Sequence, residues 1–403
     1  MMSSESGNRA FMCAVSSHTS PRDTLDIKAT LTDQAGQTIH FEKQGRGQSL
    51  VSQAFAPTLT GLADHTRHGD TQDLPSSERL NRSILDGEID GPINGLSLIK
   101  ENVGHLKIQC FNVGGLKGRL DDPEFRAVLK DYDLTLLSET HLDDADNDLV
   151  SEKLRSVNLS VKFKNRKALS TYRSGGLCII YSHVISNHIS FIESNCELVQ
   201  WIKISKTILS LDKDVLLGNT YIPPEHTRYQ NLTPFQELQE EILKFDDYYI
   251  CIAGDLNSRT NTLRDYIVRN DFVPEQLEFD EDAQNGLTSL NLLTSNDISL
   301  DRQNSDTKVA NNYGRLLIDF CKSNNLLFAN GRLGSDITGK ATTYNHTVLD
   351  YMITNPNLLI NTENFTVHDY DAVFSDIHCR LSWGFRLSNT NLIKIVIVVI
   401  LKL

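Results

Sequence analysis

From Leu106 onward the chain is punctuated by short apolar runs that end at polar residues, and this punctuation limits the folds open to it. The runs are Leu106–Phe111, Leu134–Leu137, Leu177–Tyr181, Val199–Ile204, Val215–Tyr221, Tyr249–Ala253 and Leu326–Ala329. Each is too short for a buried helix and rich in β-branched or aromatic residues, so each predicts a buried strand. Helical patterns alternate with some of them. Asp122-Pro123 opens one with Phe125, Val128 and Leu129 on a common face. Thr233, Pro234 and Gln236 read as a capping box with a first-turn proline, starting a helix that runs to about Lys244. A third is expected from Asn312 to about Asn324, with Leu316, Leu317, Phe320 and Cys321 as its apolar stripe. Residues 258–311 are polar and predict a long loop with one or two helical turns.

The most informative run is Tyr249–Ala253, which is closed by Gly254-Asp255-Leu256-Asn257. If the strand geometry continues, Asp255 and Asn257 point the same way, because alternate residues share a face. An acid and an amide then stand side by side at the end of a strand, where α/β folds carry their ligands. Gly, Asp and Asn also make ordinary turns, so the tetrapeptide alone proves little. The other runs repeat the arrangement. Asn112 and Glu139 follow the first two, and Tyr221 ends the fifth just before Pro223-Pro224. Asp350 precedes Tyr351-Met352-Ile353, and Asp376 and His378 lie within Phe374–Cys379. Each has a plain structural reading: Asn112 as a turn cap before Gly114-Gly115, Glu139 as a solvated helix start, Tyr221 as a core ring, Asp350 as the partner of an arginine. Their joint recurrence at strand ends is what packing alone does not explain.

At 403 residues and 39% hydrophobic content the chain can bury a sizeable core, though not along its whole length. Residues 1–100, rich in Ser, Thr, Gly, Asp and Gln, are expected to be largely disordered, with a weak strand-like piece at Thr38–Phe41. Residues 101–385 form the folded domain and 386–403 an apolar tail. The segment Leu392–Leu403 is shorter than the roughly 20 residues that span a bilayer, so an edge strand or an adventitious tail is expected ahead of a membrane anchor, which stays as the alternative. Residues 1–100 carry 9 Lys+Arg and 12 Asp+Glu, which leaves 30 and 40, a net of −10, for residues 101–403. An acidic domain receives no long-range attraction to a polyanion, so any nucleic-acid contact needs a local basic surface. The seven cysteines include no Cys-x-x-Cys pair, and four lie in apolar runs, which fits buried thiols in a reducing compartment. The N-terminus has no apolar signal-peptide core, so an intracellular setting is expected, nuclear if the substrate is genomic DNA.

Taken together, the residues from about Leu106 to Trp383 resemble the endonuclease/exonuclease/phosphatase superfamily, and within it the apurinic endonuclease-like endonuclease domains of non-LTR retrotransposons. The matching pieces, in order, are Phe-Asn-Val-Gly-Gly-Leu (111–116), Leu-Ser-Glu-Thr-His-Leu (137–142), Ser-Gly-Gly-Leu-Cys-Ile-Ile-Tyr (174–181), Tyr-Ile-Pro-Pro (221–224), Gly-Asp-Leu-Asn-Ser-Arg-Thr (254–260), Asn-Asn-Tyr-Gly-Arg-Leu-Leu-Ile-Asp-Phe-Cys (311–321), Leu-Asp-Tyr-Met-Ile (349–353) and Ser-Asp-Ile-His (375–378). The resemblance implies an α/β four-layer sandwich of two mostly antiparallel β-sheets flanked by helices. It also implies roles: Glu139 holding a Mg²⁺ ion, or Mn²⁺ in its place, with Asn112 and Asp376 as direct or water-mediated ligands; Asp255 orienting or deprotonating the attacking water; Asn257 fixing the phosphate or that water; Tyr221 reaching a phosphate oxygen; and His378 contacting the phosphate, oriented by Asp350.

One departure stands out. The superfamily has Asp and His adjacent, whereas here Ile377 separates Asp376 from His378. Either a bulge restores the geometry or the role of Asp376 is displaced, with His368 as the alternative histidine. The expected function is a Mg²⁺-dependent DNA endonuclease of retrotransposon origin acting on the phosphodiester backbone, with no obligate protein partner. The alternatives are a same-fold enzyme acting on inositol phosphates, lipid head groups or RNA, and a decayed nucleic-acid-binding domain.

Overall fold

The computed structural model describes residues 11–19, 25–33, 38–45, 104–165, 174–209, 211–268 and 281–388. Two compact units divide the chain, residues 1–89 and 90–403. In the first, β1 (Phe11–Thr19), β2 (Leu25–Asp33) and β3 (Thr38–Gly45) form an antiparallel meander. The strand expected at Thr38–Phe41 falls inside β3, and β1 and β2 are strands that the polar composition of this region concealed. The rest of 1–100 lies outside the described residues, as does the apolar stretch Leu392–Leu403.

The second unit contains β4 (His105–Asn112), β5 (Leu134–Ser138), β6 (Leu159–Lys164), β7 (Leu177–Ser182), β8 (Ile189–Ile192) and β9 (Val199–Ile204). It continues with β10 (Asp214–Tyr221), β11 (Tyr248–Asp255), β12 (Leu327–Phe328), β13 (Asp350–Thr354), β14 (Thr362–Val367) and β15 (Leu381–Arg386). Its helices are α1 (Leu116–Arg119), α2 (Pro123–Lys130), α3 (Asn147–Arg155), α4 (Pro234–Ile242), α5 (Glu281–Thr294), α6 (Asn312–Ser323) and α7 (Pro356–Leu359). Two six-stranded sheets result, ordered β12-β13-β11-β10-β9-β8 and β14-β15-β4-β5-β7-β6. Each is antiparallel except for one parallel pair, β10 with β11 and β4 with β5. The expected sandwich of two mostly antiparallel sheets is therefore what the chain adopts.

Alternation along the strands shows why the sheets stack. On β4, Leu106, Ile108 and Cys110, with Trp383 of β15 in the same sheet, face one cluster of buried side chains; Cys251 and Ala253 of β11 and Val215 and Leu217 of β10 join it from across the gap. The in-between residues face outward. Ile250, Ile252 and Leu216 meet Phe235 and Leu238 of α4 and Leu317 and Phe320 of α6. Phe111, Leu137 and Cys178 meet Leu116 of α1, Phe125 and Leu129 of α2, and Val150 and Leu154 of α3. Strands buried on both faces and helices buried on one give four layers. The buried thiols Cys110, Cys178, Cys251 and Cys321 fill small spaces in these layers and form no disulfide.

Three helix expectations change. Thr233 makes no side-chain cap on α4; Asn231 does that work instead, accepting from the Thr233 amide at 2.8 Å and donating to Glu237 at 2.9 Å. On α6 the buried stripe is Tyr313, Leu317, Ile318, Phe320 and Cys321, with Leu316 38% exposed. Within 258–311 the chain forms α5, a helix of 14 residues, where one or two turns were expected. No helix among the described residues is long and apolar enough to cross a membrane.

Candidate active site at the end of the inter-sheet seam

The inward-facing rows of both sheets turn polar at the same end of the sandwich. On β4 the row Leu106, Ile108, Cys110 continues to Asn112; on β10, Val215 and Leu217 lead to Asn219 and Tyr221; on β11, Cys251 and Ala253 lead to Asp255. The two parallel pairs bring C-terminal strand ends together, with Asn112 beside Ser138 and Tyr221 beside Asp255. Strand β13 runs the other way, so its first residue, Asp350, stands opposite Asp255. Period-two alternation thus delivers side chains from both sheets to one rim.

A close backbone approach at Gly254 sets the turn that aims Asp255. Gly254 has φ of +149°, and a Cβ built there would lie 1.8 Å from the Thr220 carbonyl oxygen. Only glycine fits between β10 and β11 at this point. Gly254→Ala is expected to lower stability by about 3 kcal/mol or more, since both strain and overpacking act together. A urea-unfolding midpoint close to that of the unsubstituted protein would overturn this.

Asp255 is buried and fully engaged. It accepts from Asn112 Nδ2 at 3.0 Å and from the Asn257 main-chain amide at 3.0 Å. Asn112 Oδ1 in turn accepts from the Gly114 amide at 3.1 Å, so the turn-capping reading of Asn112 and its place in the site hold together. Asn257, at φ +47°, gives its carboxamide nitrogen to the Ile222 carbonyl at 2.9 Å. His378 Nδ1 lies 2.9 and 3.0 Å from the two oxygens of Asp350, and its Nε2 lies 3.6 Å from Asp255 Oδ2. Asp350 is therefore the partner of a histidine rather than of an arginine. Burial pushes the Asp255 carboxyl up, and although His378 opposes this, Asp350 adds to it, leaving Asp255 at about 7. For His378, burial disfavours the charge, but the Asp350 and Asp255 carboxylates outweigh it and raise the imidazole to about 10.

Glu139 stands just past β5, at φ +50°. Tyr221 donates its hydroxyl to Glu139 Oε1, and His141 Nε2 lies 3.2 Å from Oε2. Burial would raise this carboxyl, yet the hydrogen bonds from His141 and Tyr221 prevail and hold it below the usual carboxylate range. Glu139 and His378 are close enough for each to act on the other's charge.

Asp376 is held by Arg119 and, among the described contacts, meets none of Glu139, Asp255 and His378, although its carboxylate comes within 3.5 Å of where a Cβ on Gly114 would stand. A bend at Asp376 and Ile377 leads into an antiparallel bridge of His378 with Thr343, flanked by Tyr344 N donating to Ile377 O at 2.8 Å and Cys379 N to Thr342 O at 2.7 Å. The extra residue Ile377 is taken up in that bend and stands 45% exposed. Asp376, with its side chain 76% exposed, pairs with Arg119. The loop itself is pinned from several sides. Arg119 donates to the Val113, Ala372 and Val373 carbonyls at 2.8 Å each. Ser375 Oγ accepts from the His378 amide at 3.1 Å, and Phe374 packs against Phe125 and Phe111 at ring separations of 5.9 and 6.2 Å. His368 contacts Ser382 Oγ at 2.7 Å, and its described contacts include none of Glu139, Asp255 or Asp350.

Two places offer donors to a cation. Asp255, Asp350 and His378 have ligand atoms within 4.8 Å of one another. There the imidazole, charged at neutral pH, already bridges the two carboxylates, so a cation has to displace a proton. Glu139 is the better fit: it is ionised and part-exposed, with Asn112 Oδ1 as a further oxygen at the rim. Hard oxygen donors of this kind suit Mg²⁺, which keeps several waters and needs few protein ligands. Arg119 and His141 escaped sequence reasoning. The signal for His141 was present, two residues beyond Glu139 in Leu-Ser-Glu-Thr-His, whereas Arg119 reaches Asp376 across 257 residues.

Comparison with known protein families gives no match, and no curated protein matches the chain. Solved structures do. An AP endonuclease, LMAP, from Leishmania major aligns with 78% of this chain and 99% of its own at 14% identity and a TM-score of 0.50. The endonuclease domain of TRAS1, a telomere-specific non-LTR retrotransposon, aligns over 70% and 99% at 12% identity and a TM-score of 0.45. The APE2 catalytic domain from Xenopus laevis aligns over 70% and 91% at 16% identity and a TM-score of 0.45. At 14% identity the likeness to the Leishmania major structure concerns architecture alone, and together with the two six-stranded sheets it gives the fold as the endonuclease/exonuclease/phosphatase type.

Proposed function

We propose that the chain is a Mg²⁺-dependent phosphodiesterase that nicks DNA. The observation that supports this most is the meeting of Asn112, Glu139, Tyr221, Asp255 and the His378–Asp350 pair at one end of the seam between the sheets. Phosphodiester hydrolysis requires a positioned water, a group to take its proton and neutralisation of charge growing on the phosphate. Asp255, with a pKa raised to about 7, is matched to taking a proton from water at neutral pH. Asn112 and the Asn257 amide hold its two oxygens so that it faces the rim. His378, kept cationic by Asp350 and Asp255, gives a hydrogen bond to a phosphate oxygen. Tyr221 fixes Glu139 and stands beside Asp255, linking the cation-holding carboxylate to the base. A divalent cation at Glu139 would supply charge neutralisation at the phosphate. Asp376, whose carboxylate is tied to Arg119, would serve such a cation directly or through water.

The full-length chain incubated with supercoiled plasmid is expected to yield nicked circles with Mg²⁺ and none with a chelator. Release of phosphate from an inositol phosphate without nicking would overturn the DNA reading. Glu139→Gln is expected to raise the Mg²⁺ concentration for half-maximal nicking at least about tenfold, from the loss of a charged ligand. An unchanged Mg²⁺ requirement would remove Glu139 from the cation site.

A further inference from the structure

A cavity of ≈ 390 Å³ opens on the outer face of the β14-β15-β4 side of the second sheet, beside the C-terminal end of α2. Its lining includes Lys107, Tyr132, Thr366, His368, Arg380 and Ser382. In a chain with net charge −13, this small space holds two cations that carry no salt bridge among the described residues. Arg380 is held by neutral groups. It donates to Gln109 Oε1 at 3.2 Å, is hydrogen bonded with Tyr132, and lies over the Phe374 ring at 4.1 Å. Asp131, at the rim, and Asp371 act on it only through space. His368 donates or accepts at Ser382 Oγ through Nε2, and it is surrounded by Arg380 and by Lys340, which is itself paired with Asp369. Burial first, and then those two cations, push the imidazole down to about 4, so at neutral pH it is uncharged.

We propose that this cavity is an anion site, separate from the seam-end site, and that it takes the phosphate group of a small phosphate monoester. A half-buried guanidinium with no carboxylate in salt-bridge contact among the described residues, Asp131 and Asp371 acting at longer range, is incompletely compensated, and a phosphate offers it charge and paired acceptors. Lys107 supplies a second positive charge, and the Thr366, Ser382 and Tyr132 hydroxyls supply neutral hydrogen bonds. The volume exceeds that of inorganic phosphate alone and lies within the range of small-ligand pockets.

The test titrates full-length, metal-free protein with inorganic phosphate, thymidine 5′-monophosphate and thymidine, following the His368 ring resonances by NMR. A bound dianion adds negative charge to the groups facing His368, so saturable shifts and a rise in its pKa are expected with the two phosphates and not with thymidine. Inorganic phosphate binding as tightly as the monophosphate would show that the phosphate group alone is recognised, which still supports the site. Lys107→Gln, a surface change that leaves packing intact, and Arg380→Gln are each expected to weaken binding by about tenfold or more, the loss of one charge-assisted contact. No saturable shift at His368, or binding unaltered by Lys107→Gln, overturns the proposal. Binding lost in Asp255→Ala but retained in Lys107→Gln would place the anion at the seam end instead and overturn it as well.

Discussion

Asp255→Asn is expected to slow plasmid nicking by about 10²- to 10⁴-fold, the range lost when a positioned base is removed. The substitution keeps the size and shape of the side chain, although its carboxamide nitrogen then faces one of the two donors, Asn112 Nδ2 or the Asn257 amide, that the carboxylate accepts from. It removes the carboxyl that burial and the nearby Asp350 bring to about 7. A carboxyl raised in the folded state loses its proton more readily when unfolded, so its contribution to stability falls as pH rises from about 4 through 7. The asparagine variant lacks that term, so its melting temperature relative to the unsubstituted protein is expected to be higher at pH 7 than at pH 4. Unaltered nicking by a well-folded Asp255→Asn protein would dismiss the assignment.

The second large effect is at His378. His378→Ala removes the cationic donor and leaves Asp255 and Asp350 facing each other without compensation. Loss of one preorganised donor to developing charge costs about 3 kcal/mol of barrier, or roughly 10²-fold or more in turnover. Its linkage to pH has a definite sign. A histidine raised from 6.5 to about 10 contributes stability that is complete below 6.5 and lost as pH climbs through 10. The melting temperature of the unsubstituted protein should therefore decline between those limits, and the alanine variant should show a flatter profile. Equal slopes in the two proteins would mean that His378 carries no charge in the fold.

Much of the architecture could be read from the strands themselves. Val199–Ile204 matches its observed strand residue for residue, and the runs that begin at Leu106, Leu134, Val215 and Tyr249 fall within one or two residues of β4, β5, β10 and β11. These strands are buried on both faces, so composition and length mark them without ambiguity. Edge strands gave weaker signals. Strand β6 is only part-buried after Leu159, and β8 has no fully buried residue, so neither needed a continuous apolar run. Helix α5 has a weak apolar stripe and was concealed in a polar segment for the same reason. At the site, the residue types and their strand-end positions were legible. The pairings were not: Glu139 with Tyr221 across 82 residues, and Asp350 rather than a nearby arginine with His378, depend on how two sheets stack. The Asp-Ile-His spacing was visible, but its resolution required the Arg119 contact and the bend before His378.

The seam-end position of the site has a consequence for how this protein fails. Neither half of the sandwich owns a complete set of the needed groups: Asn112 and Glu139 arrive from one sheet, Tyr221, Asp255 and Asp350 from the other. Anything that lets the two halves slip by a fraction of a residue, such as mild denaturant, pressure or a cavity-forming change at Trp383, should silence the chemistry while each ladder of main-chain bonds stays whole. Activity would then act as a gauge of sheet alignment, vanishing before circular dichroism registers any loss.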